Sequence, residues 1–219
     1  MKKFLIFNLL LILFVSFSVS SFSQNKFAGK VEIALKDKSG DNSMDYYIKG
    51  NKIRMDIQSP QGEARLILDQ ENKKISMLMP SMKMYMSFPW DKMVSGAQGN
   101  NDNKNNMSFK KTGETKTING YKCEKWLMTG DEGTTEAWMT DELGRFMFFD
   151  SPMSGKSKPE WQQELSNGNN FPMLIIHKDS DGNENRLEVT KVEKMDLSDD
   201  FFGIPSGYNE MKMPIGGQK

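Results

Sequence analysis

The chain has 219 residues, with 29 basic and 29 acidic side chains and a formal charge of zero. Such a balance lacks the basic excess that nucleic acid or an anionic membrane surface selects, so neither is expected as a partner. One histidine, His177, and one cysteine, Cys123, exclude an internal disulfide and the zinc sites that need three or four such ligands.

The first 23 residues predict a secretory signal peptide. Lys2 and Lys3 form a basic start, Phe4 to Val15 is an apolar run, and small and polar residues follow. Ser21 and Ser23 occupy the −3 and −1 positions, which places cleavage before Gln24 and the protein in the periplasm or outside the cell. The apolar run is too short for a bilayer span, and no later stretch approaches that length, so no integral membrane segment is expected after cleavage. A lipid anchor would need a cysteine directly after the apolar run, and the one cysteine is Cys123, so no lipid anchoring is expected. The expected mature domain is 24–219. Loss of two lysines and no acid moves its charge to −2.

From residue 30 onward, period-2 alternation dominates, as in strands with one buried face. Val31, Ile33 and Leu35 form a first inward row. Met44, Tyr46 and Ile48 form a second, and Ile53, Met55 and Ile57 a third after a Gly50-Asn51 hairpin turn. Ala64, Leu66 and Leu68 follow. Then come Ile75, Met77 and Met79, a Pro80-Ser81 turn, and Met82, Met84, Met86 and Phe88. This predicts an antiparallel meander, apolar on one face and polar on the other. A short helix is expected from Pro89, with Trp90, Met93 and Val94 on one side, and 96–106 reads as a flexible Asn/Gly-rich loop.

Asn119-Gly120 predicts a turn before a strand over Tyr121–Met128. Further strands are expected at Thr134–Thr140, Arg145–Phe149 and Met173–His177, the last apolar on both faces and therefore central. Asp181-Gly182 turns into Arg186–Met195. Ser157-Lys158-Pro159-Glu160 fits a capping box for a lid helix with Trp161 and Leu165 on one face and Gly168 at its end. The expected fold is mainly β: about ten strands in a single curved antiparallel sheet, with one or two short lid helices.

The chain carries no phosphate-binding glycine loop, nucleophile elbow or calcium loop. Asp179, Asp181 and Asn183 lack the distal Glu that a calcium loop requires, so they mark a hairpin turn. The carboxylate pairs Asp199-Asp200 and Asp131-Glu132 read as solvated charge. His177 in its apolar strand reads as a hydrogen-bonded core residue, and Cys123 as a small buried hydrophobe. No catalytic residue and no cofactor is expected. The unusual feature is the run M-L-M-P-S-M-K-M-Y-M over 77–86. Three readings remain open. The methionines are core filler, or an adaptable wall for an apolar guest, or a soft-metal site in which Met82, Met84 and Met86 present thioethers from one strand face.

Five segments in order carry a family resemblance: Y-I-K-G-N-K-I-R-M-D (47–56), I-L-D-Q-E-N-K-K-I-S-M-L-M-P-S-M-K-M-Y-M (67–86), T-I-N-G-Y-K-C-E-K-W (117–126), T-E-A-W-M-T (135–140) and F-F-G-I-P-S-G-Y (201–208). Together they resemble an exported bacterial family known as a domain of unknown function, DUF4412. That family is similar in pattern to the periplasmic lipoprotein carriers LolA and LolB, which fold as an incomplete antiparallel barrel plugged by helices. The resemblance implies a binding or carrier shell, no enzyme, and a lipid or lipoprotein acyl chain as guest. Met77, Met79, Met84, Met86, Phe88, Trp90 and Trp161 are the candidate wall and lid residues. A copper-binding protein and a ligand-free structural envelope protein are the alternatives.

Overall fold

The computed structural model describes residues 27–38, 40–59, 62–89, 108–147, 165 and 169–211. The signal peptide, the 96–106 loop, the helix expected from Pro89 apart from Pro89 itself, which is strand, and nearly all of the expected lid helix lie outside them, as do Trp90 and Trp161.

Twelve strands form one sheet that does not close into a barrel. They are β1 (Ala28–Asp37), β2 (Gly40–Lys49), β3 (Lys52–Ser59), β4 (Gly62–Asp69), β5 (Lys74–Met79), β6 (Met84–Pro89), β7 (Ser108–Ile118), β8 (Tyr121–Gly130), β9 (Gly133–Thr140), β10 (Phe171–Asp179), β11 (Glu184–Lys194) and β12 (Asn209–Glu210). Their order across the sheet is β12-β6-β5-β4-β3-β2-β1-β11-β10-β9-β8-β7. Two meanders, β1–β6 and β7–β11, therefore join where β1 pairs antiparallel with β11. Every pairing is antiparallel except the short parallel one between β12 and β6.

The predicted inward rows line up across the first meander. Val31 faces Tyr46, Tyr46 faces Met55, Met55 faces Leu66, and Leu66 faces Met77. Directly opposed residues share a face, so this register produces a continuous apolar stripe. The stripe joins residues of β8–β11, including Cys123, Trp126, Ala137, Met173 and Ile175, in one core. The sheet must curl for this to happen. β8 and β11 are three strand spacings apart, about 14 Å if flat, yet Asn119 Nδ2 in the β7–β8 turn donates to Val189 O of β11 at 2.7 Å. The predicted curved sheet and the central place of β10, between β9 and β11, are both observed.

Three sequence expectations are corrected. Arg145–Phe149 is not a strand where it is described: Arg145, Phe146 and Met147 are irregular chain. Phe146 stacks on Tyr46 at 5.1 Å, and Met147 N–H donates to the Tyr46 hydroxyl at 3.1 Å. The segment is apolar because it caps the core instead of extending the sheet. Second, Met82 does not share the row of Met84 and Met86. Pro80–Met82 forms a single 3₁₀ turn ended by Lys83 in left-handed conformation, φ 49°, so the alternation breaks and Met82 is 56% exposed. Third, the outer face of the first meander is not polar throughout. Ile67 and Leu78 there are buried beneath Leu197 and Phe202 of the C-terminal segment.

Among the described residues, helical backbone is confined to two 3₁₀ turns, Pro80–Met82 and Asp199–Phe202, and to Leu165. Leu165 is 1% exposed and belongs to the main core.

Candidate functional site

Closure of the concave face is uneven. At its centre, Tyr46 is fully buried, with Phe146 stacked on its ring and Phe171 edge-on at 5.4 Å. Leu143, Leu165 and Met173 complete an apolar plug. Burial pushes the Tyr46 phenol well above its ordinary range, so it stays neutral and serves as the acceptor for Met147 N–H.

Towards β5 and β6 the covering thins. Met77 faces Met86, Met79 faces Met84, and Ile75 faces Phe88. All six side chains share the face that carries Leu66 and Leu68. Ile75 and Met86 are buried, whereas Met77, Met79, Met84 and Phe88 are only half-buried. The structure thus brings five of the seven predicted wall and lid residues onto one patch. Alternation within each strand places them there, and the tight turn over Pro80–Met82 sets the cross-strand pairs. Met77 contacts the main core and anchors the patch to it.

Other chemistry-bearing groups are engaged in contacts within the fold. His177 Nδ1 lies 2.8 Å from Thr135 Oγ1, both side chains being buried, and burial lowers the imidazole's affinity for a proton. Cys123 is fully buried, its thiol donates to Tyr121 O at 3.4 Å, and burial pushes its pKa up, away from a reactive thiolate. Asp179 accepts from the Asn183 amide and backbone and from Asp181 N–H, closing the β10–β11 turn as expected. Asp199 pairs with Lys49 at 2.8 Å and Lys52 at 3.4 Å. Among the described residues no group of three His, Cys, Asp or Glu side chains could hold a metal, and no helix is long and apolar enough to cross a membrane.

On the outer face, the sequence reading missed a strap. Residues 197–211 cross β2–β6 and end as β12. Arg54 Nη1 donates to Phe201 O at 3.0 Å, and its guanidinium lies 4.1 Å from the Phe201 ring centre. Its other nitrogens grip Asp56 at 2.6 and 2.8 Å. Burial alone would raise the Asp56 carboxyl, but the Arg54 and Arg65 guanidiniums hold it below the usual carboxylate range. The legible signal was the apolar pair Ile67 and Leu78 at outward positions of otherwise alternating strands.

A curled, open antiparallel sheet with a plugged centre and a half-covered apolar end defines a β-shell protein. The chain belongs to the family described as a domain of unknown function, DUF4412, which it matches over residues 27–208. No curated protein matches it in sequence. Among solved structures it is similar to PNGF-II in a C2 crystal form, with 16% identity and a TM-score of 0.47 over 84% of this chain and 30% of that one. The chain thus spans under a third of PNGF-II. It is also similar to an uncharacterized conserved protein from Thermus thermophilus, with 8% identity and a TM-score of 0.49, covering 84% and 90% of the two chains. The Pseudomonas aeruginosa MucA/MucB complex gives 7% identity, a TM-score of 0.42, and coverage of 81% and 56%.

Proposed function

We propose that the protein is a non-enzymatic binding or carrier shell for a hydrophobic or amphiphilic guest, exported to the cell envelope and cleaved before Gln24. The observation that carries this reading is the half-buried row Met77, Met79, Met84 and Phe88, which continues a fully buried apolar stripe. Apolar surface left partly open at the end of a packed core is where a guest gains most by excluding water. All four side chains are apolar and flexible or aromatic, and methionine adapts to guest shape. The guest class is a lipid or the acyl chain of a lipoprotein.

The test combines detergent-free purification and lipid mass spectrometry with titration of a fluorescent fatty-acid analogue. Wild type should bind saturably. Met84→Leu should bind alike, since volume and polarity barely change. Met84→Asp should lose binding, because an unpaired carboxylate resists burial in an apolar site. A well-folded wild type that binds no amphiphile and carries none from the cell overturns the reading.

A further inference from the structure

We infer that the β5–β6 hairpin also forms a soft monovalent metal site, in which the thioethers of Met77, Met79, Met84 and Met86 take one Cu(I) ion. The register makes the four residues a two-by-two grid: Met79 directly opposes Met84, and Met77 directly opposes Met86, all on one face. Direct cross-strand partners stand about 4.5–5.5 Å apart at Cβ, and the diagonal is within reach of long side chains. Methionine has three rotatable side-chain bonds, so three or four sulfurs from such a grid can converge above the sheet. Thioether sulfur is a soft donor that suits Cu(I) and not the hard ions Ca or Mg.

Burial sorts the donors. Met86 is 7% exposed, and half-buried Met77 packs against the core, giving an inner pair. Met79 and Met84, nearer the turn, are half-buried and form the pair that an entering ion meets. Met82, by contrast, is 56% exposed and lies off the grid because Lys83 adopts a left-handed conformation. The donor set is therefore Met77, Met79, Met84 and Met86, in place of the Met82, Met84, Met86 row that alternation alone suggests. Cys123, the one thiol, belongs to β8 and is fully buried. This assignment does not depend on amphiphile binding.

The experiment is an anaerobic titration of the purified protein with Cu(I) against a chromophoric chelator, repeated with Ag(I) as a redox-inert substitute. X-ray absorption is recorded on the copper-loaded sample. One ion per chain and a sulfur-only first shell are expected. Changes beyond the first ligand shell already weaken metal sites about 10–100-fold. Met79→Leu/Met84→Leu, which removes two donors while keeping apolar volume, should therefore weaken binding at least about 100-fold. Thermal melts confirm that this variant folds. Met82→Leu and Cys123→Ala should bind as wild type. Failure of wild type to hold the ion against the chelator overturns the site. So does a nitrogen or oxygen shell, affinity that survives the double leucine variant, or affinity lost in Met82→Leu or Cys123→Ala.

Discussion

His177 is the chain's one histidine, which gives it a separable pH signature. Burial depresses its pKa, while Asp179 and Glu132 pull the other way. In the unfolded chain it titrates near its ordinary value of about 6.5. As pH falls below that value, the unfolded state takes up a proton before the folded state does. Stability is therefore full above about pH 6.5 and declines as pH falls towards the folded pKa. Most carboxylates titrate lower, so the upper part of this window belongs to His177. The urea midpoint should fall from pH 7 to pH 5.5, and His177→Gln should flatten that slope. An equal slope in both proteins would show that His177 is not its source. The sequence made the burial of His177 legible, because it ends a strand that is apolar on both faces, and that of Cys123 through its character as a small hydrophobe. It did not reveal Thr135 as the partner, since the two residues are 42 positions apart and meet only through the β9–β10 register.

Among the elements, β1 to β5 and the Met84–Phe88 strand were legible because their buried faces write period 2 directly into the sequence. β7 was not, since Ser108–Ile118 is exposed almost throughout and carries no apolar alternation. Its lysines suit an edge strand, where charge discourages further pairing. The Met82 placement failed for a local reason: a 3₁₀ turn consumes residues without preserving face. The β8–β9 turn contains a sharper constraint. Gly133 has φ +125°, and an added Cβ would lie 2.0 Å from Lys178 O and 2.8 Å from Asp179 Cα, both backbone atoms of β10. Gly133→Ala must therefore push β9 away from β10, at a cost of roughly 2–4 kcal/mol from strain and lost pairing. Gly40 has a similar φ of +121° with nothing within 4 Å, so Gly40→Ala should cost only the backbone term, about 1–2 kcal/mol. Chemical denaturation of the pair separates close approach from backbone strain. Equal losses would refute the contact.

At the scale of the whole molecule, the covered part of the concave face does not involve β12, but the outer face depends on the C-terminal strap. Three kinds of contact hold that strap. Leu197 and Phe202 bury Ile67 and Leu78. Lys49 Nζ donates to Leu197 O at 2.6 Å, and Arg54 to Phe201 O at 3.0 Å. Asn209 N–H and Met211 N–H then donate to Lys83 O and Tyr85 O, adding β12 to the free edge of β6. The apolar contact should dominate, because Asp199 is well exposed and its pairing with Lys49 and Lys52 is screened by solvent. Phe202→Ala should thus destabilise the fold by about 3 kcal/mol, whereas Asp199→Asn should leave the melting temperature almost unchanged. Ending the chain after Lys194 removes all three contacts together. It exposes Ile67 and Leu78 and bares the β6 edge, which carries the methionine patch on its other face. An unpaired edge beside an apolar surface recruits other chains, so the truncated protein should elute as concentration-dependent oligomers in size-exclusion chromatography, while Asp199→Asn elutes as wild type. A truncated protein that matches wild type in both elution and melting temperature would show that the strap contributes nothing to the fold.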